Sequence, residues 1–364
     1  EAAFALSVQE AAAICGLEVK DIELCARWIA ETKTLLSFWA MGLNQSTSGV
    51  KKSLALINLH LITGKIGRAG CGPFSLTGQP NAMGGREVGG LATMLAAHRD
   101  IGNAQHREEV RAFWGGTEIS STPGRTATEM FAALKSGEMK AIWIACTNPI
   151  VSLPDSHAVR EGLLNARFVV VQEISERSET LSYADLVLPA AGWLEKEGTM
   201  TNSERRITYL PAMVQPPGEA RPDFEIWTDF AARMGFRDAF AYRNASEVYA
   251  EHCALTKNTN LDVSGLSYER LKVQSYQWPV PSPEHPGTAR LFESGEFFTP
   301  TRRARIAGFA FENKSELADE TYPLVLTTGR IRDQWHTMTR TGKVNKLGAH
   351  IPEPFLEIHP KDAG

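Results

Sequence analysis

The sequence has no run approaching the ~20 apolar residues that a membrane-spanning helix needs. It has no excess of positive charge. Its 38 Lys and Arg stand against 42 Asp and Glu, a formal net charge of −4, so no basic field points to nucleic acid or an anionic membrane. Cysteine is sparse. Cys15, Cys25, Cys71, Cys146 and Cys253 never fall as C-x-x-C, and an odd, scattered set argues against a disulfide framework and for a reducing compartment. No G-x-G-x-x-G joins a strand to a helix. The run Thr63-Gly64-Lys65-Ile66-Gly67 lacks the Ser or Thr that would hold magnesium in a phosphate loop. Neither a standard NAD site nor a P-loop is indicated. There is no internal repeat, no low-complexity tract and no secretory signal pattern before the first helix.

What is present is an ordinary globular balance. Of 364 residues, 43% are hydrophobic and 22% charged, enough apolar material for two or three domains of ~100–200 residues each. Ser7-Val8-Gln9-Glu10 is a capping box that opens a helix, and a second helical pattern runs from about Glu18 to Lys33. Leu35–Ala40 reads as a short buried strand, followed by a helix over Ser53–Leu61. Residues 64–90 carry nine glycines with little periodicity and read as a long loop, a kind that is usually functional or disordered.

Between Thr126 and Ala190 the pattern alternates. Thr126–Glu129 is another capping box, and Gly137 suits a left-handed helix end. Strands are expected at Ala141–Ala145, Phe168–Val171 and Ala184–Pro189, with a helix over Ser156–Leu164. Apolar strands alternating with amphipathic helices imply an α/β fold, a parallel sheet with helices on both faces. Residues 254–304 are poorer in pattern and read as a connection. Tyr322–Thr327 reads as a strand opening a β-rich unit, with a further strand entering a turn at residues 355–364.

In an open parallel sheet, ligands sit outside the carboxyl ends of the strands. That rule nominates Met41, Asn44 and Gln45 after the first strand, and Cys146, Thr147 and Asn148 after the next. It also nominates Gln172 and Glu173, then Glu195, Lys196 and Glu197. Glu173 could accept from ribose hydroxyls or a purine amine, or be a solvated strand-end carboxylate. Thr147-Asn148-Pro149 could bind or simply turn. Arg86, in the run Gly78–Gly90, could offer a fork of donors to a planar oxyanion, or pair with Glu87. The charged runs Glu195–Gly198 and Asn202–Arg206 could equally be solvated loops. Asp223 sits in the first turn of a helix, where a carboxylate compensates the dipole. Trp335, beside Arg330, Arg332 and Arg340, could stack on a base or pack, and a lone His336 is usually structural.

Taken together these segments resemble the molybdopterin oxidoreductases of the dimethyl sulfoxide reductase superfamily, and within it the assimilatory nitrate reductase branch. The carrying motifs are Met41–Gln45, the glycine-rich Gly70–Gly90, Cys146–Pro149, Glu195–Gly198 with Thr201–Arg206, and Thr328–Thr337. They stand in the family's order and cover nearly the whole chain. The Gln79–Gly90 run is the part that looks like nitrate reductase rather than formate dehydrogenase.

The resemblance implies an internal piece of a catalytic subunit that reduces nitrate to nitrite by oxygen-atom transfer. It implies a molybdenum bis(molybdopterin guanine dinucleotide) cofactor. Residues 1–33 would be the helical end of a preceding α/β domain and 34–253 an αβα cofactor-binding domain. Residues 254–318 would connect to 319–364, the start of a C-terminal dinucleotide-binding β-barrel. Met41, Gln45, Asn148, Gln172, Glu173, Lys196 and Asp223 would contact the cofactor. So would Thr328, Gly329, Arg330, Trp335, His336 and Thr337. Met83 and Arg86 would be catalytic, near a substrate funnel, Arg86 orienting nitrate and Met83 walling the pocket. The cysteine cluster for a [4Fe–4S] centre and the cysteine ligand to molybdenum are expected upstream, since neither Cys71 nor Cys146 matches that ligand. Alone, the chain would be inactive. The implied electron donor is ferredoxin, flavodoxin or an NADH-dependent flavoprotein, and the implied location is cytoplasmic.

Overall fold

A computed structural model describes residues 6–309 and 318–363. The chain forms two compact units: Glu1–Thr126 with Leu188–Lys314, and Ala127–Val187 with Ser315–Gly364.

In the first unit the Ser7 capping box closes as read. The backbone N–H of Glu10 donates to Ser7 Oγ at 3.2 Å, and that of Ser7 donates to the Glu10 carboxylate at 2.7 Å. Helices follow at Val8–Cys15, Val19–Glu31 and Gly49–Ile62. Strand Leu36–Trp39 runs parallel to Gly72–Ser75, with Phe38 opposite Phe74 and their rings 5.6 Å apart. The Lys65 ammonium, buried, donates to Ile29 O at 2.6 Å and Ala30 O at 3.4 Å. It satisfies terminal carbonyls of a helix and meets the negative end of its dipole. That is the role of the Gly-Lys-Ile-Gly run.

The glycine-rich stretch 64–90 is not one loop. It contains the strand Gly72–Ser75 and the helix Ala82–Glu87. Gly and Pro mask both periods, because neither presents an apolar side chain. Downstream, Gly198–Thr201, Arg206–Leu210 and Tyr276–Gln277 form an antiparallel sheet with Arg206–Leu210 in the middle. Asn202 makes the hairpin turn, its side-chain oxygen accepting from the N–H groups of Glu204 (2.9 Å) and Arg206 (3.1 Å). Arg205 donates to Trp278 O and Thr288 O and lies over the Trp278 ring. Both arginines of the charged run therefore serve the hairpin, since Arg206 donates to Gln277.

The core of this unit draws on the stretch read as a connection. Leu261, Val263, Leu266, Tyr268, Leu271, Tyr276, Trp278 and Val280 pack with Ala97, Ile207, Tyr249 and Cys253. Sequence periodicity misses them because they lie largely on irregular backbone. That backbone is satisfied locally instead: Val263 N donates to Thr256 Oγ1 at 2.9 Å and Val280 N to Asp262 O at 2.7 Å.

The second unit holds a three-stranded sheet in the order Ala141–Ala145, Phe168–Glu173, Leu186–Pro189. The first two strands are parallel, with Ile144 opposite Val171 and Ala145 opposite Gln172. Alternate residues Ile142, Ile144, Val169 and Val171 face one side, as strand geometry requires, and join Phe131, Leu134, Val159 and Leu163 of two helices. Those helices are Ala127–Lys135 and Ser156–Asn165, and Gly137 takes the left-handed φ of 77°. Gly162 lets them meet, since a Cβ there would stand 2.7 Å from Phe131 O.

The expected β-barrel start is not formed. Among the described residues of 318–363 there is no strand, only the short turns of helix Thr341–Lys343, Asn345–Gly348 and Pro360–Ala363. A strand persists only where a neighbour completes its hydrogen-bond ladder. No described segment pairs with Tyr322–Thr327, and Leu326 is left 84% exposed.

Gly162→Ala should destabilise the second unit by about 1–3 kcal/mol, as overpacking does. A denaturation midpoint unchanged from the parent chain would contradict the close helix contact.

Candidate functional site

A cavity of about 330 Å³ opens in the first unit. Its walls come from the helix Ala82–Glu87 and its flanks (Asn81, Gly84, Glu87), from the hairpin (Thr199, Thr201), and from Lys196 and Asp223. Tyr249, His252 and Tyr268 add an aromatic side. That volume is at the low end for ligand pockets, about 300–1,000 Å³, so it has room for one ring system rather than a whole dinucleotide. At Gly84 a Cβ would collide with the Asn81 side-chain oxygen, so a side chain there would have to displace Asn81 from its bond to Thr201.

Lys196 and Asp223 meet as an ion pair, each about a quarter to a third exposed. Asp223 opens the helix Asp223–Arg233, so it compensates the dipole and pairs at once. Beside them Tyr209 donates to the Glu197 carboxylate at 2.8 Å. Burial and that bond push the tyrosine up to about 12. Glu87 is the most unusual wall. Only 3% exposed, it accepts from Thr201 Oγ1 at 2.7 Å and from Trp278 Nε1 at 2.6 Å. Burial raises its pKa, and the two hydrogen bonds, which favour the carboxylate, oppose the rise.

In the second unit the carboxyl ends of the parallel strands present the nominated polar groups. Asn148 follows the strand Ala141–Ala145. Its amide donates to Glu179 at 2.6 Å, and its oxygen accepts from Thr180 at 2.8 Å. Cys146 just before it has a left-handed φ of 62°, which turns the chain sharply off the strand. Gln172, buried, and Glu173, half-buried, end the next strand, and the register sets Gln172 opposite Ala145. Thr328, Gly329 and Arg330 are exposed. Arg330 lies over the Trp335 ring at 5.8 Å, and the His336 ring meets Trp335 edge-on. His336 and Thr337 are exposed too.

The structure thus brings together Lys196 and Asp223 in one unit, and Asn148, Gln172 and Glu173 at one sheet edge in the other. Met41 and Gln45 stand exposed at either end of the turn of helix after strand Leu36–Trp39. Met83 packs on the core, and Arg86 is exposed; neither lines the cavity. Arg86 does not pair with Glu87, which turns inward to Thr201 and Trp278. Sequence reading missed Asn81, Glu87, Tyr249, His252 and Tyr268. The only available signal was Glu87, an acid in a glycine-rich run with no local partner but Arg86.

The donor set fits a pterin nucleotide. Amides and carboxylates at strand ends suit a guanine edge and ribose hydroxyls. A lysine held by a carboxylate beside a small cavity suits a phosphate next to a ring.

Half-buried His252 has its pKa lowered to about 4, by burial first and by His98 second. The unfolded ring takes its proton near 6.5, so between 6.5 and about 4 the unfolded chain binds more protons. Stability should therefore fall as pH drops through that window, and His252→Gln should flatten the fall. An imidazole NMR titration with a midpoint near 6.5 would contradict the burial.

Family comparison agrees with the geometry. The molybdopterin oxidoreductase family matches residues 22–233, and the molydopterin dinucleotide binding domain matches residues 324–364. A nitrate reductase of Synechocystis sp. is 45% identical over 94% of this chain and 49% of its own length. The assimilatory nitrate reductase catalytic subunit of Bacillus subtilis is 36% identical over 98% of this chain and 51% of its own. An F420-dependent formate dehydrogenase subunit alpha of Methanocaldococcus jannaschii is also 36% identical, over 97% of this chain and 51% of its own. Among solved structures, acetylene hydratase from Pelobacter acetylenicus shares the fold with a TM-score of 0.64 at 19% identity, covering 98% of this chain and 52% of that one. The chain spans about half the length of the curated relatives it matches. It belongs to the molybdopterin oxidoreductases, a family of enzymes whose cofactor is a molybdenum–molybdopterin dinucleotide.

Proposed function

We propose that the chain is part of an assimilatory nitrate reductase, which reduces nitrate to nitrite by oxygen-atom transfer. The observation that supports the nitrate reductase part of this reading is the likeness to nitrate reductases over 94–98% of this chain, at up to 45% identity against 36% for the formate dehydrogenase relative. When bound, molybdenum would supply the two-electron oxygen-atom transfer. This chain's residues bind and orient.

Asn148, Gln172 and Glu173 hold a guanosine end, the carboxylate accepting from ring and amino N–H groups. Lys196 neutralises a phosphate, with Asp223 holding its ammonium in place until then. Met41 and Gln45 contact a second part of the cofactor. Thr328, Gly329, Arg330, Trp335, His336 and Thr337 wrap the pterin and phosphates, on a segment that becomes the first strands of a barrel in the complete subunit. Arg86 presents a planar fork to planar nitrate, and Met83 fixes the wall behind it. A [4Fe–4S] centre outside this chain relays electrons from ferredoxin, flavodoxin or a flavoprotein, in the cytoplasm.

Arg86→Ala in the full-length enzyme should raise KM for nitrate at least about 10-fold, since a charge-assisted fork is lost. Molybdenum content should stay constant. Unchanged kinetics would remove Arg86 from the site. Lys196→Ala should do the reverse, lowering bound molybdenum and guanine nucleotide together. Formate turnover by the wild-type enzyme, without nitrate turnover, would favour the formate dehydrogenase reading.

A further inference from the structure

The helix Ala82–Glu87 has only six residues, two of them glycine, and Gly89 and Gly90 follow it. So short and permissive a helix is not stable by itself. Its direction must come from its ties. At its start Asn81 accepts from the N–H of Thr201 at 2.9 Å. At its end the Glu87 side chain takes Thr201 Oγ1 and Trp278 Nε1, and the Glu87 carbonyl takes the N–H of Ala97 at 2.7 Å. Thr201 thus grips both ends of the helix, through its backbone and its side chain. Trp278 is itself fixed, with Arg205 over its ring and His98 against its edge at 5.8 Å.

Arg86 immediately precedes Glu87 and points about 100° away around the helix. The carboxylate nearest to it in sequence is committed to the interior and does not neutralise it. We propose that Glu87 is a positioning residue, whose buried carboxylate clamps this helix to the strand Gly198–Thr201 and to Trp278 and so sets where Arg86 presents its guanidinium to a small oxyanion. This inference rests on the reading of Arg86 as the group that orients nitrate.

The test is a double-mutant cycle in the full-length enzyme, with KM and kcat for nitrate read separately from molybdenum content. Glu87→Ala should raise KM about 10-fold with a smaller change in kcat, and should add nothing in an Arg86→Ala background. Glu87→Gln should restore most of the loss. Its amide oxygen can accept from Trp278 while its N–H donates to a reoriented Thr201 hydroxyl. Thr201→Val, which keeps the shape and removes one donor, gives a milder version if Glu87→Ala fails to accumulate. It too should raise KM only when Arg86 is present. Additive KM effects of Glu87 and Arg86 substitutions would overturn the clamp while leaving Arg86 in place. So would a loss confined to kcat and molybdenum content. A normal KM in Arg86→Ala alone would sink the underlying reading, and the clamp's function with it. Amide exchange over residues 82–88 gives a readout independent of nitrate. It should quicken in Glu87→Ala, and unchanged exchange would show that the carboxylate holds nothing.

Discussion

A buried carboxylate organises the first unit. Taking Glu87 out of water costs several kcal/mol, and among the described residues no cation is paired with it. Two short hydrogen bonds to a charged acceptor recover about 1.5–3 kcal/mol each. The acid is tolerable only while Thr201 and Trp278 are both in place. Because those partners lie on a hairpin and on a distant irregular segment, the single side chain ties three parts of the chain together. Two of those parts, the helix with its flanks and the hairpin, line the cavity beside it, together with residues of 222–224 and 245–252 and Tyr268.

The second unit reaches its site by a different route. There the parallel pairing of Ala141–Ala145 with Phe168–Glu173 fixes the register, and the register fixes where the strands end. Period two puts Val169 and Val171 into the core. The ends then carry Cys146, Thr147, Asn148 and Glu173 out of the sheet, and Asn148 is held by Glu179 and Thr180 before any ligand arrives. On the proposed reading, such pre-ordering would limit the entropy lost on binding.

Much of this was legible from residues alone. The capping box at Ser7, the strands at 36–39, 141–145 and 168–173, and the left-handed Gly137 all follow from local chemistry, although the strand at 36–39, read as buried, leaves Phe38 59% exposed. The strand-end rule nominated Asn148, Gln172 and Glu173, and the parallel register does set them at the carboxyl ends of their strands. What sequence could not show was burial without period. Leu261 and Val280 are fully buried on irregular backbone, and Gly72–Ser75 pairs as a strand despite its glycine and proline. Glu87 was invisible as a wall because its partners lie 114 and 191 residues away. Tyr322–Thr327 shows the converse, since a short apolar run stays exposed where no described segment completes its ladder.

The proposal most open to test is that the strand-end groups of the second unit hold the guanosine end of a pterin dinucleotide cofactor. The most direct measurement is the structure of the full-length enzyme loaded with that cofactor. The account predicts that the Asn148 amide and the Glu173 carboxylate each lie within hydrogen-bond reach of it, about 2.7–3.2 Å. A loaded structure in which neither touches the cofactor would contradict it.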